Sequence, residues 1–163
     1  MYQDLQEHLK NRRTLLHGAW IKEKNSYEGD LCKLLEFTQE KNRYWDAAWG
    51  NYRIELKKGA SIWLDLVRYS EMLLKINEQA KTDTISLFFF PNKSKDAIST
   101  VACVSTPKII EILCLDGNTA SFLIELNKRL PRQLNAQASL TPSDIKRIAA
   151  FTVPEVVSLD DLL

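Results

Sequence analysis

Three charged side chains stand close together in the segment "YWDAAWGNYRIELKKG", which covers residues 44 to 59. They are Asp46, Glu55 and Lys57. Two neighbouring carboxylates supply the oxygen ligands that a hard cation such as Mg²⁺ prefers, and an adjacent ammonium group can position or help to deprotonate a water molecule. The residue types therefore predict a site for metal-assisted hydrolysis, provided that folding brings the three side chains together.

The segment has the sequence pattern of a β-hairpin, because aromatic and β-branched residues alternate with polar ones around Gly50 and Asn51. A two-residue turn there places Asp46 opposite Glu55, with Cβ atoms about 4.5 to 5.5 Å apart, and like charges so placed destabilise a sheet. Glu55 and Lys57 share one strand face because side chains alternate. We therefore expect one cluster of three charges. The same register pairs Trp49 with Tyr52, Ala48 with Arg53 and Ala47 with Ile54.

A simpler interpretation stays open, in which the strand exposes a charged face to water. The spacing Asp-x(8)-Glu-x-Lys is loose and can arise by chance. The context favours a site, because Ile54 and Leu56 are expected to point into a core on the opposite face, and because the like charges need some compensation.

Helices and strands are expected on both sides of the hairpin. Residues 2–16 and the apolar series from Leu31 to Phe37 predict two amphipathic helices. After the hairpin, Ser61 is a plausible N-cap of a helix from Ile62 to about Ile76. The runs "TISLFFF" and "AISTVACV" predict two strands, the first buried on both faces. A strand, a helix and a second strand in this order predict a right-handed crossover onto one sheet.

The C-terminal third is expected to be helical. Thr106-Pro107 and Thr141-Pro142 have the chemistry of helix starts, and "TASFLIELNKRL" predicts a helix that ends at Pro131. The fold class predicted is α/β (mixed α+β), with a mixed sheet flanked by helices on both faces. We expect one domain over residues 1–163, made of a helical part (1–40), a sheet core with the hairpin (41–104) and a second helical part (105–163).

Composition limits the possible partners. The chain has 163 residues, of which 45% are hydrophobic, and a formal net charge of +1, so a polyanion must bind to local basic patches. No apolar stretch approaches the roughly 20 residues of a membrane span, so we expect a cytoplasmic protein without a membrane or a nucleotide cofactor as partner.

Histidine and cysteine offer little chemistry here. His8 and His17 are the only histidines, and their spacing does not converge them on a metal or a nucleophile. Cys32, Cys103 and Cys114 are widely spaced and are expected to be buried, reduced thiols.

The stretch "WDAAWGNYRIELKKG" resembles the catalytic hairpin of the PD-(D/E)-x-K nuclease superfamily, and within it the small type II restriction endonucleases. The close match is confined to this stretch, and the order of elements over residues 28 to 104 agrees more loosely. The resemblance implies a restriction-endonuclease-like fold in which Asp46, Glu55 and the main-chain carbonyl of Leu56 bind Mg²⁺, for which Mn²⁺ can substitute. Lys57 would then position the attacking water.

The reaction implied by this resemblance is hydrolysis of phosphodiester bonds in double-stranded DNA by a homodimer. The sequence departs from the family pattern at Trp45, which stands where the motif has proline. The family's further acidic residue is not identified, since Glu28, Glu36 and Glu40 all compete for that role. A strand before Asp46 is not obvious either.

Two other functions remain open: a structure-specific nuclease of the Holliday-junction resolvase type, and a non-catalytic DNA-binding or interaction module. Several basic pairs are candidates for phosphate contacts. These are Arg12-Arg13, Lys93 with Lys95, Lys128-Arg129 and Lys146-Arg147. The tryptophans are expected to be core or dimer anchors; they are Trp20, Trp45, Trp49 and Trp63.

Overall fold

The computed structural model describes residues 1–17, 27–42, 44–78, 83–93 and 97–154. Its helices are α1 (Gln3–His17), α2 (Tyr27–Leu35), α3 (Leu66–Glu78), α4 (Thr106–Ile112), α5 (Gly117–Arg129) and α6 (Pro142–Ile148). Its strands are β1 (Thr38–Gln39), β2 (Ala47–Trp49), β3 (Tyr52–Lys58), β4 (Ile62–Asp65), β5 (Asp83–Pro91), β6 (Ile98–Ser105), β7 (Gln137–Leu140) and β8 (Phe151–Pro154). The predictions for Trp20 and Lys95 lie outside the described residues.

A mixed sheet forms the centre of the molecule, with the strand order β1-β2-β3-β5-β6-β8. The pair β3 and β5, which are joined through α3, is parallel, and the other neighbours in this sheet are antiparallel. β4 and β7 form a separate antiparallel pair. The predicted mixed α+β architecture is therefore confirmed, and β1 supplies the strand before Asp46 that the sequence did not reveal.

Helices cover both faces of this sheet, as expected. On one face, α1 and α2 pack on the sheet through apolar side chains such as Leu5, Leu9, Leu31 and Leu35, which meet Ile54, Leu56, Leu87 and Phe89. On the other face, α3, α4 and α6 contribute Tyr69, Met72, Ile109 and Ile145, which meet Phe88, Phe90 and Ala102. The two faces of β3 therefore lie in different surroundings.

The strand β5 is buried on both faces, as its apolar run predicts. Phe88 and Phe89 point to opposite sides and are 1% and 0% exposed. Each such burial contributes about 1.5 to 3 kcal/mol relative to an exposed side chain. This central strand fixes the position of β3 beside it.

The expectation for residues 62 to 65 is wrong, because this segment is strand β4 and the helix begins at Leu66. Ile62 and Leu64 are buried while Trp63 is 55% exposed, so the side chains alternate as in a strand. The apolar positions at 62 and 66 fit a helix equally well, and the deciding partner, β7, is distant in sequence.

The C-terminal part is not wholly helical, since β7 and β8 lie within it and β8 pairs with β6 at the edge of the main sheet. The N-cap of α4 is Ser105 rather than Thr106, whereas Thr141 caps α6 as expected. Cys32 and Cys103 are buried, but Cys114 is exposed, contrary to expectation.

Within the described residues, no helix is both long and apolar enough to cross a membrane.

Candidate functional site

The hairpin has the register expected from its turn. Ala47, Ala48 and Trp49 pair with Ile54, Arg53 and Tyr52, and Gly50 adopts a φ of 55°, which suits glycine at a tight turn. β2 begins at Ala47, so the regular pairing does not extend back to Asp46 and Glu55. Instead, the main-chain N–H of Asp46 donates to the carbonyl of Ile54 at 3.0 Å.

The part of β3 after Ile54 has no paired residue of β2 beside it, and the side chain of Asp46 occupies this place. Its Oδ2 accepts a hydrogen bond from the main-chain N–H of Leu56 at 2.9 Å. In a strand, the N–H and the carbonyl of one residue point to the same side. The carbonyl of Leu56 therefore also faces the β2 side of β3, at an edge that β2 no longer covers. The hydroxyl of Tyr27 lies 3.5 Å from this carbonyl oxygen.

Glu55 and Lys57 lie on the same face of β3, as strand alternation requires. Nζ of Lys57 is 3.9 Å from Oε1 of Glu55. The side chain of Glu55 is 3% exposed, whereas that of Lys57 is 24% exposed. The interpretation of a charged face in water is therefore wrong for this strand, because Glu55, its one acidic residue, is buried.

Arg68 of α3 links the two carboxylates, although no feature of the sequence indicates this role. Its Nε donates to Oε2 of Glu55 at 2.7 Å, and its Nη2 donates to Oδ1 of Asp46 at 3.2 Å. The Arg68 side chain is 27% exposed. The cluster therefore contains two acidic and two basic side chains, with the guanidinium between the carboxylates.

The start of α3 fixes the position of Arg68. Oδ1 of Asp65, the last residue of β4, accepts from the main-chain N–H groups of Val67 at 3.0 Å and of Arg68 at 3.3 Å. Both groups lack partners within the helix because they belong to its first turn. The strand β4 thus delivers both the cap and the helix that carries the guanidinium.

The electrostatics of the cluster are dominated by burial. Burial and the neighbouring Asp46 carboxylate raise the pKa of Glu55 to about 8, while Arg68 and Lys57 oppose this shift. Burial lowers the pKa of Arg68, but the charges of Glu55 and Asp46 outweigh it, so that its pKa is above the ordinary value. The arginine stays charged, and the buried glutamate is the group whose protonation state is sensitive to its surroundings.

A buried polar contact between Tyr69 and Ser86 lies beneath the charged cluster, and we call this contact the floor of the site. The hydroxyl groups of Tyr69 and Ser86 are 2.9 Å apart, and both side chains are fully buried. Ser86 pairs with Glu55 in the parallel register of β3 and β5. Burial and the Glu55 carboxylate both raise the pKa of Tyr69, so this phenol stays neutral beside the cluster.

For Glu28, one of the three candidates for the further acidic residue, the charges of the cluster affect the pKa. Burial and the Asp46 carboxylate raise the pKa of Glu28, while Arg68 and Lys57 lower it. Glu36 is 65% exposed and pairs with Arg12 at the other end of α2. Glu40 donates its main-chain N–H to the carbonyl of Asp46 at 2.8 Å.

The donors at the site fit Mg²⁺ in their chemistry. Among the residues that the structure describes, no three Asp, Glu, His or Cys side chains converge as a ligand group. Proteins commonly hold Mg²⁺ with only one or two carboxylates and leave the other positions to water. Asp46, Glu55 and the edge-facing carbonyl of Leu56 form such a set of hard oxygen donors.

Most basic residues predicted to contact phosphates have partners within the chain. Arg12 donates to the carbonyl of Leu34 and pairs with Glu36. The other contacts are Lys128 and Arg129 with Glu125, Arg147 with Asp144, and Lys146 over the ring of Phe90. Lys93 is exposed. None of these residues belongs to the cluster around Asp46.

The tryptophans behave differently from one another. Trp45, which stands where the resembling motif has proline, is 3% exposed and belongs to the core on the α3 face. Trp49 stacks on His8, with ring centroids 4.6 Å apart. Trp63 is exposed on β4, so it is not a core residue, and its alternative role as a dimer anchor stays a prediction.

Comparison with known proteins adds no relative, since neither a protein-family model nor a curated protein sequence matches this chain.

Proposed function

We propose that this protein is a Mg²⁺-dependent endonuclease that hydrolyses phosphodiester bonds of double-stranded DNA, of the type II restriction kind and with a restriction-endonuclease-like fold. The observation that supports this most is the convergence of Asp46 and Glu55 on one guanidinium. Lys57 lies beside Glu55, near the Ala47 end of β2. Acidic groups on neighbouring strands with a lysine two residues later on the same strand face are the arrangement that the resemblance implies.

Stability alone gives little reason for this cluster. Replacing a buried ion pair by apolar residues of similar size is often neutral or stabilising, so buried charges are weak evidence for a structural role. Glu55 is almost completely buried and its pKa is strongly raised by burial and by Asp46. Such perturbed groups are concentrated at functional sites. These features favour a catalytic role over a non-catalytic module.

Each residue of the cluster has a distinct task in this proposal. Asp46 and Glu55 hold the cation together with the carbonyl of Leu56, and Asp46 also fixes the main chain of Leu56 through its 2.9 Å hydrogen bond. Lys57, whose side chain is more exposed than that of Glu55, would orient the attacking water from the solvent side. When bound, Mg²⁺ supplies positive charge that stabilises the charge developing on the phosphate.

Plasmid DNA incubated with the purified protein in Mg²⁺, in Mn²⁺ and in EDTA tests the proposal. We expect cleavage only with a divalent cation. Lys57→Met should abolish cleavage and keep the fold, whereas Lys108→Met, which removes a surface lysine paired with Glu111 at 3.7 Å, should cleave as the unmodified protein does. Equal cleavage by Lys57→Met and Lys108→Met would overturn the assigned mechanism.

The same assay separates the two alternatives. Preference for a four-way junction over linear duplex would identify a structure-specific nuclease, and DNA binding without cleavage would identify a non-catalytic module. We also propose a homodimer, because two sites are needed to cut both strands together. Light scattering during size-exclusion chromatography tests this by comparison with the 18.8 kDa mass of one chain.

A further inference from the structure

All four carboxylate oxygens of Asp46 and Glu55 already have partners. Oδ1 of Asp46 and Oε2 of Glu55 accept from Arg68, at 3.2 Å and 2.7 Å. Oδ2 of Asp46 accepts from the N–H of Leu56 at 2.9 Å, and Oε1 of Glu55 lies 3.9 Å from Nζ of Lys57. The guanidinium thus holds one oxygen of each carboxylate, where a divalent ion would lie.

We propose that Arg68 is an internal cation that competes with the divalent metal, so that its guanidinium must leave the two carboxylates before the metal can bind between them. This rests on the proposed function, because it assumes a metal at this site. A guanidinium and a divalent cation repel each other at contact distance, and the repulsion is strong in a partly buried site. Arg68 and the metal therefore cannot share the carboxylates.

The surroundings of Arg68 provide a place for the displaced side chain. A polar groove beside α3 is lined by Arg68 together with Asp65, Glu71, Asn127 and Gln133. Two of these side chains are carboxylates, so the guanidinium exchanges one acidic environment for another when it moves. The Arg68 side chain is 27% exposed, so the movement needs no opening of the core.

The arrangement has a consequence for the metal-free protein. Without a cation between them, Asp46 and Glu55 would repel each other, and the buried Glu55 would keep only Lys57, 3.9 Å away, as a counter-charge. Arg68 keeps the two carboxylates together until the metal arrives, at the expense of metal affinity. Removing the guanidinium should therefore strengthen metal binding and weaken the metal-free fold at the same time.

Calorimetric titration of metal-free protein with Mn²⁺ tests the proposal. The variant is Arg68→Met, and the control is Arg53→Met, whose guanidinium bonds the carbonyls of Gly50 and Tyr52 at the hairpin turn. We expect Arg68→Met to bind Mn²⁺ about tenfold more tightly or better, which corresponds to about 1.4 kcal/mol. Arg53→Met should match the unmodified protein. In EDTA, Arg68→Met should melt at a lower temperature than the unmodified protein. Mn²⁺ should raise the melting temperature of Arg68→Met by more than it raises that of the unmodified protein.

A second measurement uses the unmodified protein, so it does not depend on whether the Arg68→Met variant folds. The Nε–H signal of Arg68 in the NMR spectrum of the unmodified protein should shift on addition of Mg²⁺, because its bond to Glu55 breaks. The midpoint of this shift should equal that of a calorimetric titration of the same protein with Mg²⁺. Equal or weaker Mn²⁺ affinity in folded Arg68→Met, or an Nε–H signal that stays in place while metal binds, would overturn the competition and leave the nuclease proposal intact. Absence of Mn²⁺ binding both in the unmodified protein and in folded Arg68→Met would instead overturn both.

Discussion

Arg68 donates from Nε to Oε2 of Glu55 across 2.7 Å, and the two residues come from elements that pack together only in the folded protein. Glu55 lies on the central sheet, and Arg68 lies in the first turn of the helix that crosses from β3 to β5. The contact therefore couples the candidate site to the main crossover of the fold. We therefore expect changes at this contact to alter the stability of the protein and, under the proposed function, its affinity for a cation.

The first prediction concerns the dependence of stability on pH in EDTA. Burial and Asp46 raise the pKa of Glu55 from 4.5 to about 8, so the folded protein keeps this proton over a range in which the unfolded chain has lost it. The free energy of unfolding should therefore fall as the pH rises from about 4.5 to about 8, by at most about 1.4 kcal/mol per pH unit from this group.

Urea unfolding at a series of pH values measures this effect. Glu55→Gln cannot ionise, so its unfolding free energy should change less over the same range. Glu36→Gln removes a carboxylate that is 65% exposed and should keep the slope of the unmodified protein. The same slope in Glu55→Gln and in the unmodified protein would show that Glu55 is ionised throughout.

The second prediction concerns the cap that positions Arg68. Asp65→Ala removes the acceptor for the N–H groups of Val67 and Arg68, and loss of such a cap costs about 1 kcal/mol of stability. Thr141→Ala is a matched control, because it removes the N-cap of α6, which packs on β6. Both variants should lose similar stability in thermal unfolding.

Only Asp65→Ala should also loosen Arg68. In the metal-free protein, its Arg68 Nε–H signal should exchange faster with water, while that of Thr141→Ala stays as in the unmodified protein. Identical exchange in both variants would mean that the bonds to Asp46 and Glu55 hold the guanidinium without help from the helix start.

Sequence reasoning succeeded where the determinants are local. The turn at Gly50 and Asn51 sets the hairpin register within a few residues, and side-chain alternation then places Glu55 and Lys57 on one face. The apolar run of β5 likewise predicts a strand buried on both faces. These features depend on backbone conformation and on periodicity, which a single sequence displays.

Prediction from the sequence failed where the structure of a segment depends on an element that is distant in the chain. Arg68 meets Asp46 across 22 positions of the chain, and nothing in the spacing of apolar residues on α3 distinguishes it from a surface arginine. The strand β4 could not be recognised because its partner β7 lies in the C-terminal third. Which of Glu28, Glu36 and Glu40 lies nearest the cluster likewise depends on how α2 lies against the edge of β3, which the sequence does not display.

The third prediction concerns the floor of the site. Tyr69→Phe leaves the hydroxyl of Ser86 without the partner that lies 2.9 Å away in a fully buried place. An unsatisfied buried group costs about 1 to 3 kcal/mol. Because the two groups are coupled, the double variant Tyr69→Phe/Ser86→Ala should lose less stability than the sum of the two single variants, by about 0.5 kcal/mol or more. Strict additivity in urea unfolding would show that the hydroxyl contact contributes nothing.

The fourth prediction identifies the third acidic residue of the site. Burial and, after it, the Asp46 carboxylate raise the pKa of Glu28, whereas Glu36 pairs with Arg12 at the other end of α2. Glu28→Gln removes negative charge near the cation, so it should weaken Mn²⁺ binding about tenfold, as loss of groups that support metal ligands commonly does.

Glu36→Gln is the matched control, because it makes the same chemical change on the same helix. Its Mn²⁺ affinity and its rate of DNA cleavage should equal those of the unmodified protein, while Glu28→Gln should be slower at low Mg²⁺ and recover at high Mg²⁺. Recovery at high Mg²⁺ is expected because Asp46 and Glu55 still supply the ligands. If both variants bind Mn²⁺ equally well, Glu28 lies near the cluster without contributing to the field that attracts the cation.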